Sequence, residues 1–326
     1  MKIAILNAHN LFLLDNPSEY QRKTSLKRFQ YNKPLLKTVE LSKAIKEIDP
    51  DILMIMEVGG EESLNNFNKN FLDNHFIVSL IPGNSDRGIE LGFLIRRKMP
   101  FAYDHYTHKN RLIDFNYLFE KKENERRKNI NLPIIHKSHK FSRDLAELRI
   151  YSKENKDLPK MILLLVHLKS QLDIYGNDKN GRGRREAELK TLVNVYIKLE
   201  KKFNYKVPII VGGDFNGNAQ SANTDDEFKY LYEKTDLQDI LEFINLPPER
   251  RTTLIGPHSE YGLKNPQFDF IFISEKYKNK ISLERSGIYY YKNPKTGVPL
   301  PYPQEERDMK DFPSDHYPLA LQFKDL

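Results

Sequence analysis

The feature that most constrains this chain is a series of short apolar runs recurring over its whole length, each interrupted before it could grow into a long helix. They are Ile3–Leu6, Ile52–Met56, Leu91–Ile95, Leu148–Tyr151, Met161–Val166, Val207–Val211, Phe270–Ile273 and Tyr317–Phe323. Their length and β-branched content predict buried strands. Helical patterns fall between several of them, at Leu35–Ile48, Ser63–Asn74, Arg185–Lys202 and Asp225–Lys234. The Arg185 segment is the clearest, because Leu189, Leu192, Val193, Tyr196 and Leu199 repeat at helical spacing behind a Gly181-Arg182-Gly183 turn. Strands and helices are thus interspersed to the end, an α/β pattern.

No Ser/Gly-rich linker and no repeated sequence divides the 326 residues, so residues 1–326 are expected to form one domain. Apolar residues make up 39% of the chain and charged residues 30%, enough for a sizeable core under a solvated surface. Two stretches break the pattern. A basic insertion is expected around residues 98–140, where strand signal fades and Glu120–Lys128 is a run of mixed charge. Asn293–Pro313 holds five prolines and is expected to be largely non-regular.

The chain has no cysteine, so neither disulfides nor thiolate metal sites can stabilise it. Any metal must sit among oxygen and imidazole donors, a supply that suits a hard cation such as Mg²⁺. The longest apolar run, Met161–Val166, is far short of the roughly 20 residues that span a bilayer. With a strand pattern from Lys2 onward in place of a signal peptide, the expectation is a soluble, cytoplasmic protein. The net charge of +7 is uneven: Arg96–Lys156 holds sixteen lysines and arginines against eight acids, a local excess of +8. Such a stretch is either a solvated surface or the footprint of a polyanion.

Function is carried by what terminates the runs. Ile3–Leu6 ends at Asn7, Ile52–Met56 at Glu57, Met161–Val166 at His167, and Val207–Val211 passes through two glycines into Asp214 and Asn216. The last run has the opposite polarity, with Ser314, Asp315 and His316 just ahead of it. Each residue alone is an ordinary turn former, helix cap or loop charge. If the last strand is antiparallel to the others, all of them meet at one edge, as a catalytic site requires.

Leu6-Asn-Ala-His-Asn-Leu-Phe12, Ile55-Met-Glu-Val58, Val166-His-Leu-Lys-Ser170, Gly213-Asp-Phe-Asn216, Phe268-Asp-Phe-Ile271 and Ser314-Asp-His316 resemble, in this order, the successive motifs of the exonuclease/endonuclease/phosphatase superfamily. Arg87–Ile95 and Phe141–Asp144 resemble segments of its bacterial members. The chain departs from some nuclease members at His9, where they carry an acid. The resemblance implies the DNase-I-like fold, a four-layer α/β/β/α sandwich with two mixed sheets packed face to face. It also implies a metal-dependent hydrolase of phosphate esters.

Hydrolysis of a phosphate ester needs an activated water, a cation on the phosphoryl oxygens and help for the departing alkoxide. His316 is the expected general base, oriented by Asp269, while Asp214 serves as acid, base or metal ligand. Asn216 and His167 are expected to donate to the phosphoryl group. Glu57, Asn7 and Asp315 are the expected ligands of Mg²⁺ or Mn²⁺, and Arg143 and Lys169 the phosphate clamps. The basic stretch favours a nuclease acting on DNA, with RNA as a further substrate. The alternatives are a phosphatase or phosphodiesterase acting on an inositol phosphate, phospholipid head group or nucleotide, and an inactive binding module of the same fold.

Overall fold

A computed structural model describes residues 1–19, 31–136, 139–173, 176–256 and 266–324. Lys137 and Ser138 of the basic stretch lie outside them. The first part of the chain runs β1 (Lys2–Leu11), α1 (Leu35–Ile48), β2 (Ile52–Val58), α2 (Gly60–Phe71), β3 (Phe76–Leu80) and β4 (Glu90–Arg96). The middle adds β5 (Phe101–Thr107), α3 (Leu118–Asn129), β6 (Leu145–Ser152), β7 (Met161–His167), α4 (Arg182–Lys202) and β8 (Ile209–Asp214). Last come α5 (Lys229–Lys234), β9 (Leu237–Asp239), α6 (Ile240–Phe243), β10 (Asp269–Ser274), β11 (Gly287–Ile288) and β12 (Leu319–Gln322).

The strands form two mixed six-stranded sheets, one ordered β11-β12-β1-β2-β4-β3 and the other β5-β6-β7-β8-β10-β9. Each has one parallel pair at its centre, β1 with β2 and β7 with β8, and antiparallel neighbours elsewhere. The parallel pairs are joined through α1 and α4, as a parallel connection requires. This is the α/β sandwich of the DNase-I-like fold.

Alternation along the strands explains why their apolar runs are continuous. Ile3, Ile5 and Met54 of the first sheet pack against Leu163, Leu165, Ile210 and Ile271 of the second, making the core between the sheets. The intervening residues Ala4, Leu6, Leu53 and Ile55 face Leu41 and Ile45 of α1 and Leu64 and Phe67 of α2. In the second sheet Ile162, Leu164, Val166 and Val211 face Leu189, Leu192, Val193 and Tyr196 of α4, which are the helical repeat in the sequence. A strand covered on both faces has no place for a polar residue until it emerges at its end.

Three expected helices differ in extent, α4 by starting at Arg182 rather than Arg185. The segment at Asp225–Lys234 opens as a 3₁₀ turn, Asp226–Phe228, before α5 begins. There Phe228 is drawn into the core against Phe215, and Glu227 is held by Arg185 at 2.6 Å. The helix expected at Ser63–Asn74 starts earlier, at Gly60, and ends at Phe71, with Asp73 and Asn74 in left-handed conformation. Within the basic stretch, β5 is a full edge strand paired with β6 from Phe101↔Ser152 to Thr107↔Ala146. The irregular excursion is therefore the segment between β5 and β6, and it carries α3. No helix among the described residues is long and apolar enough to cross a membrane.

Candidate active site

Strand direction gathers the polar termini. β1, β2, β7 and β8 end at the same edge of the sandwich, where β10 and the segment before β12 begin. His167, Asp214 and Asp269 are consecutive rungs of the second sheet, through His167↔Asp214 and Asp269↔Asp214. Gly212 lets the layers close here, since a β-carbon on it would lie 3.0 Å from Ile5 of the other sheet, and Gly213 lets β7 and β8 pair closely. A β-carbon on Gly213, whose φ is +141°, would lie 1.9 Å from the Val166 carbonyl oxygen. The adjacent Asp214 N–H donates across to Met56 Sδ of the other sheet at 3.1 Å.

Asp214 is the hub. Its Oδ2 accepts from Asn7 Nδ2 at 3.1 Å and lies 3.5 Å from His167 Nε2 and 3.8 Å from His316 Nε2. Its Oδ1 accepts the N–H of Asn216 at 2.8 Å, while the Asn216 amide donates to the Leu168 carbonyl at 3.0 Å. His316 Nδ1 meets Asp269 Oδ2 at 2.7 Å, and both residues are buried. The Asp269 strand is fixed by Thr253, whose hydroxyl accepts the N–H groups of Phe268 and Asp269 at 2.9 Å each. Backbone hold on His316 comes from Tyr291, whose hydroxyl donates to its carbonyl at 2.7 Å.

The electrostatics divide these groups. Burial opposes charge on His316, but the Asp269 carboxylate, its hydrogen bond and the further charges of Asp214 and Asp315 hold the imidazole well above its ordinary pKa. Burial pushes the Asp214 carboxyl up, against the pull of His316 and with the push of Asp269. The pair can therefore share one proton near neutrality. His167 is driven the other way, first by burial and then by the positive charges of Arg143, His316 and Arg87, and stays neutral.

At the mouth, Glu57 and His9 adopt left-handed conformations with φ of 58° and 47°. Non-glycine residues seldom adopt this geometry, and such strain concentrates at functional sites. Glu57 Oε2 accepts the N–H of Asn10 at 3.1 Å, and Oε1 faces His167 Nε2 at 3.9 Å. Asp315 Oδ1 is 3.3 Å from His9 Nδ1 and 4.0 Å from His316 Nε2. Asn7 Oδ1 accepts the N–H of His9 at 3.0 Å and keeps a second lone pair.

Asp214, Asp269 and His316 offer ligand atoms within 4.8 Å of one another. Within that trio Asp269 Oδ2 and His316 Nδ1 already bond each other at 2.7 Å, which leaves the Asp214 carboxylate and His316 Nε2 as its open donors. The carboxylates of Glu57 and Asp315 are more open to solvent than that trio, and Asn7 offers a further oxygen donor, all of types that suit a hard divalent cation.

Of the residues expected from sequence, Asn7, Glu57, His167, Asp214, Asp269, Asp315 and His316 thus form one connected cluster, with Asn216 bonded to it. Arg143 is buried beside it, with burial lowering its pKa and Glu188, Glu57 and Asp214 opposing that shift. Lys169 is turned back on its own loop, its Nζ donating to the carbonyls of Ser170 at 3.0 Å and Leu172 at 2.7 Å. Two cations were not singled out from sequence. Arg87 donates to Asn10 Oδ1 at 2.9 Å, and buried Lys33 donates to the His9 carbonyl at 3.0 Å. Burial, with Lys37, brings the Lys33 ammonium down to about 8. Arg87 opens a segment whose resemblance was legible, whereas nothing in the sequence around Lys33 marks it.

No family model and no curated protein sequence matches this chain. Solved structures do. Truncated TDP2 of Caenorhabditis elegans is 17% identical over 99% of this chain and 96% of its own, with a TM-score of 0.56. An endonuclease/exonuclease/phosphatase family protein from Bacteroides thetaiotaomicron is 15% identical over 99% and 94%, with a TM-score of 0.56. A mannosyl-6-phosphatase from the same organism is 14% identical over 99% of both chains, with a TM-score of 0.54.

Proposed function

From a chain that carries the fold of the endonuclease/exonuclease/phosphatase proteins, we propose metal-assisted hydrolysis of a phosphate ester at the Asp214–His316 cluster. The observation that carries the reading is the buried Asp269–His316 pair, whose free Nε2 lies 3.8 Å from a second buried carboxylate, Asp214. In the reactive tautomer the shared proton sits on Asp214 and His316 Nε2 is a base. A water gives its proton to His316 as its oxygen bonds to phosphorus. The ester P–O bond breaks, and Asp214 returns its proton to the leaving oxygen. Asp269 holds the imidazole tautomer and stabilises the cation formed.

Neutral His167 and the Asn216 amide donate to the phosphoryl oxygens, and Arg143 supplies fixed positive charge beside them. Glu57, Asn7 and Asp315 are the proposed holders of Mg²⁺ or Mn²⁺. When bound, such an ion neutralises charge that builds on the phosphoryl oxygens. Lys169 joins the phosphate contacts only if its bonds to Ser170 and Leu172 are released.

For the substrate, a nuclease reading draws on the basic excursion, which leaves β5 at Thr107 and rejoins β6 at Leu145, next to the Val166 rung at the site edge. A phospholipid reading draws on exposed apolar side chains in the same excursion. Assays with Mg²⁺ or Mn²⁺ against plasmid, single-stranded DNA, RNA, phospholipids and soluble phosphomonoesters test both. Turnover of one class, abolished by EDTA and by His316→Ala, is the expected result. No turnover of any of them would return the chain to the inactive binding module.

A further inference from the structure

The excursion between β5 and β6 combines features that ordinary surface loops keep apart. Its root is well built. Phe115 and Phe141 enter the core under α4, His139 Nε2 meets Glu120 Oε2 at 2.8 Å, and Arg184 bonds the Tyr117 hydroxyl at 2.9 Å. Beyond that root α3 has Glu120 as its one buried residue, so the helix packs almost nothing beneath it. The chain after α3 folds back along the helix. Ile135 N–H donates to Asn124 Oδ1 and the Asn124 amide returns a bond to the Ile135 carbonyl, each at 3.0 Å, while Arg127 Nε reaches the Pro133 carbonyl at 2.8 Å.

This small unit carries Leu118, Phe119, Ile130, Leu132, Ile134 and Ile135, which are between 40% and 57% exposed. Scattered exposed leucines need no explanation, but six exposed apolar side chains within eighteen residues, on a unit without its own core, are apolar surface that a partner would cover. The same unit presents Lys121, Lys122, Arg126 and Lys128. Cations beside aliphatic side chains distinguish among covers. A nucleic-acid backbone uses the cations and, through stacking, aromatic rings, but has no use for isoleucine and leucine. A lipid surface with anionic head groups takes both, the aliphatics entering the head-group boundary and the cations staying at the phosphate level.

We propose that the excursion between β5 and β6 is an interfacial element that docks on an anionic lipid surface. Because Arg143 follows directly on its return limb, docking would bring that surface toward the edge where Asp214 and His316 stand. The inference goes beyond the hydrolytic reading and does not depend on it, since binding is measured without turnover.

The test is co-sedimentation of the full chain with phosphatidylcholine vesicles and with vesicles containing phosphatidylserine, at low and high salt, with duplex DNA in a parallel binding assay. The expected result is binding to phosphatidylserine vesicles that weakens with salt and is at least tenfold weaker on phosphatidylcholine alone. The triple change Leu132→Ser, Ile134→Ser and Ile135→Ser should reduce it at least tenfold, and Lys122→Glu with Arg126→Glu and Lys128→Glu should do the same. All these side chains are at the surface, and an unchanged melting temperature checks that the fold is intact. Absence of vesicle binding at low salt overturns the inference, as does binding that survives the triple serine change. DNA binding lost in the charge variant but kept in the serine variant, with no vesicle binding, assigns the face to nucleic acid instead. His316→Ala should dock like the unmodified chain, so loss of turnover and loss of docking are read separately.

Discussion

The two sheets have the same strand order and directions, β11-β12-β1-β2-β4-β3 matching β5-β6-β7-β8-β10-β9, yet their site ends are built differently. By position β1 matches β7, β2 matches β8 and β4 matches β10; Asn7 pairs with Met56 as His167 pairs with Asp214, so the first sheet's acid, Glu57, lies one residue beyond the matching rung. In the second sheet the register runs unbroken through His167↔Asp214 and Asp269↔Asp214. Its carboxylates therefore face one another inside the protein. In the first sheet the register slips between Ile55 and Val58 and between Asn7 and Leu11, and the slip turns Glu57 into left-handed backbone at the mouth. Regular pairing buries the acids of the proposed proton transfer, and a local bulge sets the proposed metal ligand Glu57 at the mouth.

The largest effect expected from this division is on the regular side. His316→Ala and Asp214→Ala should each lower turnover by at least about 100-fold, the scale of lost acid–base catalysis, with the fold intact by circular dichroism. A folded His316→Ala protein with near-normal turnover would remove the proton-transfer role from the second sheet.

On the bulged side the next largest effect joins function to strain. Glu57→Gly should abolish the response to added Mg²⁺ while raising thermal stability, because a β-carbon in left-handed conformation costs about 1 kcal/mol. Glu57→Gln should weaken the metal response without that gain. If glycine lowers the melting temperature, the lost bond from the Asn10 N–H and the added chain entropy outweigh the relieved strain. Metal binding followed by titration calorimetry keeps the two readouts independent.

A smaller and more specific effect separates orientation from chemistry at Asp269. Its carboxylate is the main influence raising the His316 pKa against burial. A base works only when deprotonated, so the acid limb of the rate profile should follow His316. Asp269→Asn should move that limb to lower pH as well as slow turnover. An unshifted limb would mean that another group controls it.

How far the sequence revealed this arrangement depended on how close the chemistry lies to a strand signal. Asn7, Glu57, His167 and Asp214 terminate apolar runs, so the runs pointed to them directly. Lys33 and Arg87 reach the site from loops, and their approach depends on tertiary packing that no local pattern encodes. The strand β5 was hidden in the basic stretch because an edge strand is only half covered. Its Tyr106 carries the Arg149 guanidinium 4.2 Å from the ring centroid instead of facing a core. The matching order of the two sheets leaves no repeated sequence, since corresponding strands share direction and burial but bear different terminal residues.

The smallest effect concerns the edge strands β3 and β9, which also match in position. β3 ends in buried Phe76 and Leu80, whereas β9 ends in fully buried Asp239, which Gln267 Nε2 bridges to the Asp269 carbonyl with bonds of 2.7 Å and 3.4 Å. Burial pushes the Asp239 carboxyl up to about 7, with Gln267 and the Leu241 N–H partly opposing it. An unfolded aspartate titrates at about 3.9, so between these values the folded chain holds the proton more tightly. Stability from this group is therefore greatest below about pH 4, falls as pH rises toward 7, and is level above that. Asp239→Asn removes the titration but keeps an oxygen for the Leu241 N–H, which now donates at 3.2 Å. Its new amide can donate to Gln267 Oε1, a buried atom without a hydrogen-bond partner, once that side chain turns over. Urea unfolding should show the variant about as stable as the unmodified chain at pH 4.5 and more stable by about 1 kcal/mol at pH 8, a fraction of the full shift at about 1.4 kcal/mol per pH unit. A difference independent of pH would show that Asp239 ionises in the fold as it does in water, and the edge of the second sheet would then tolerate a buried charge.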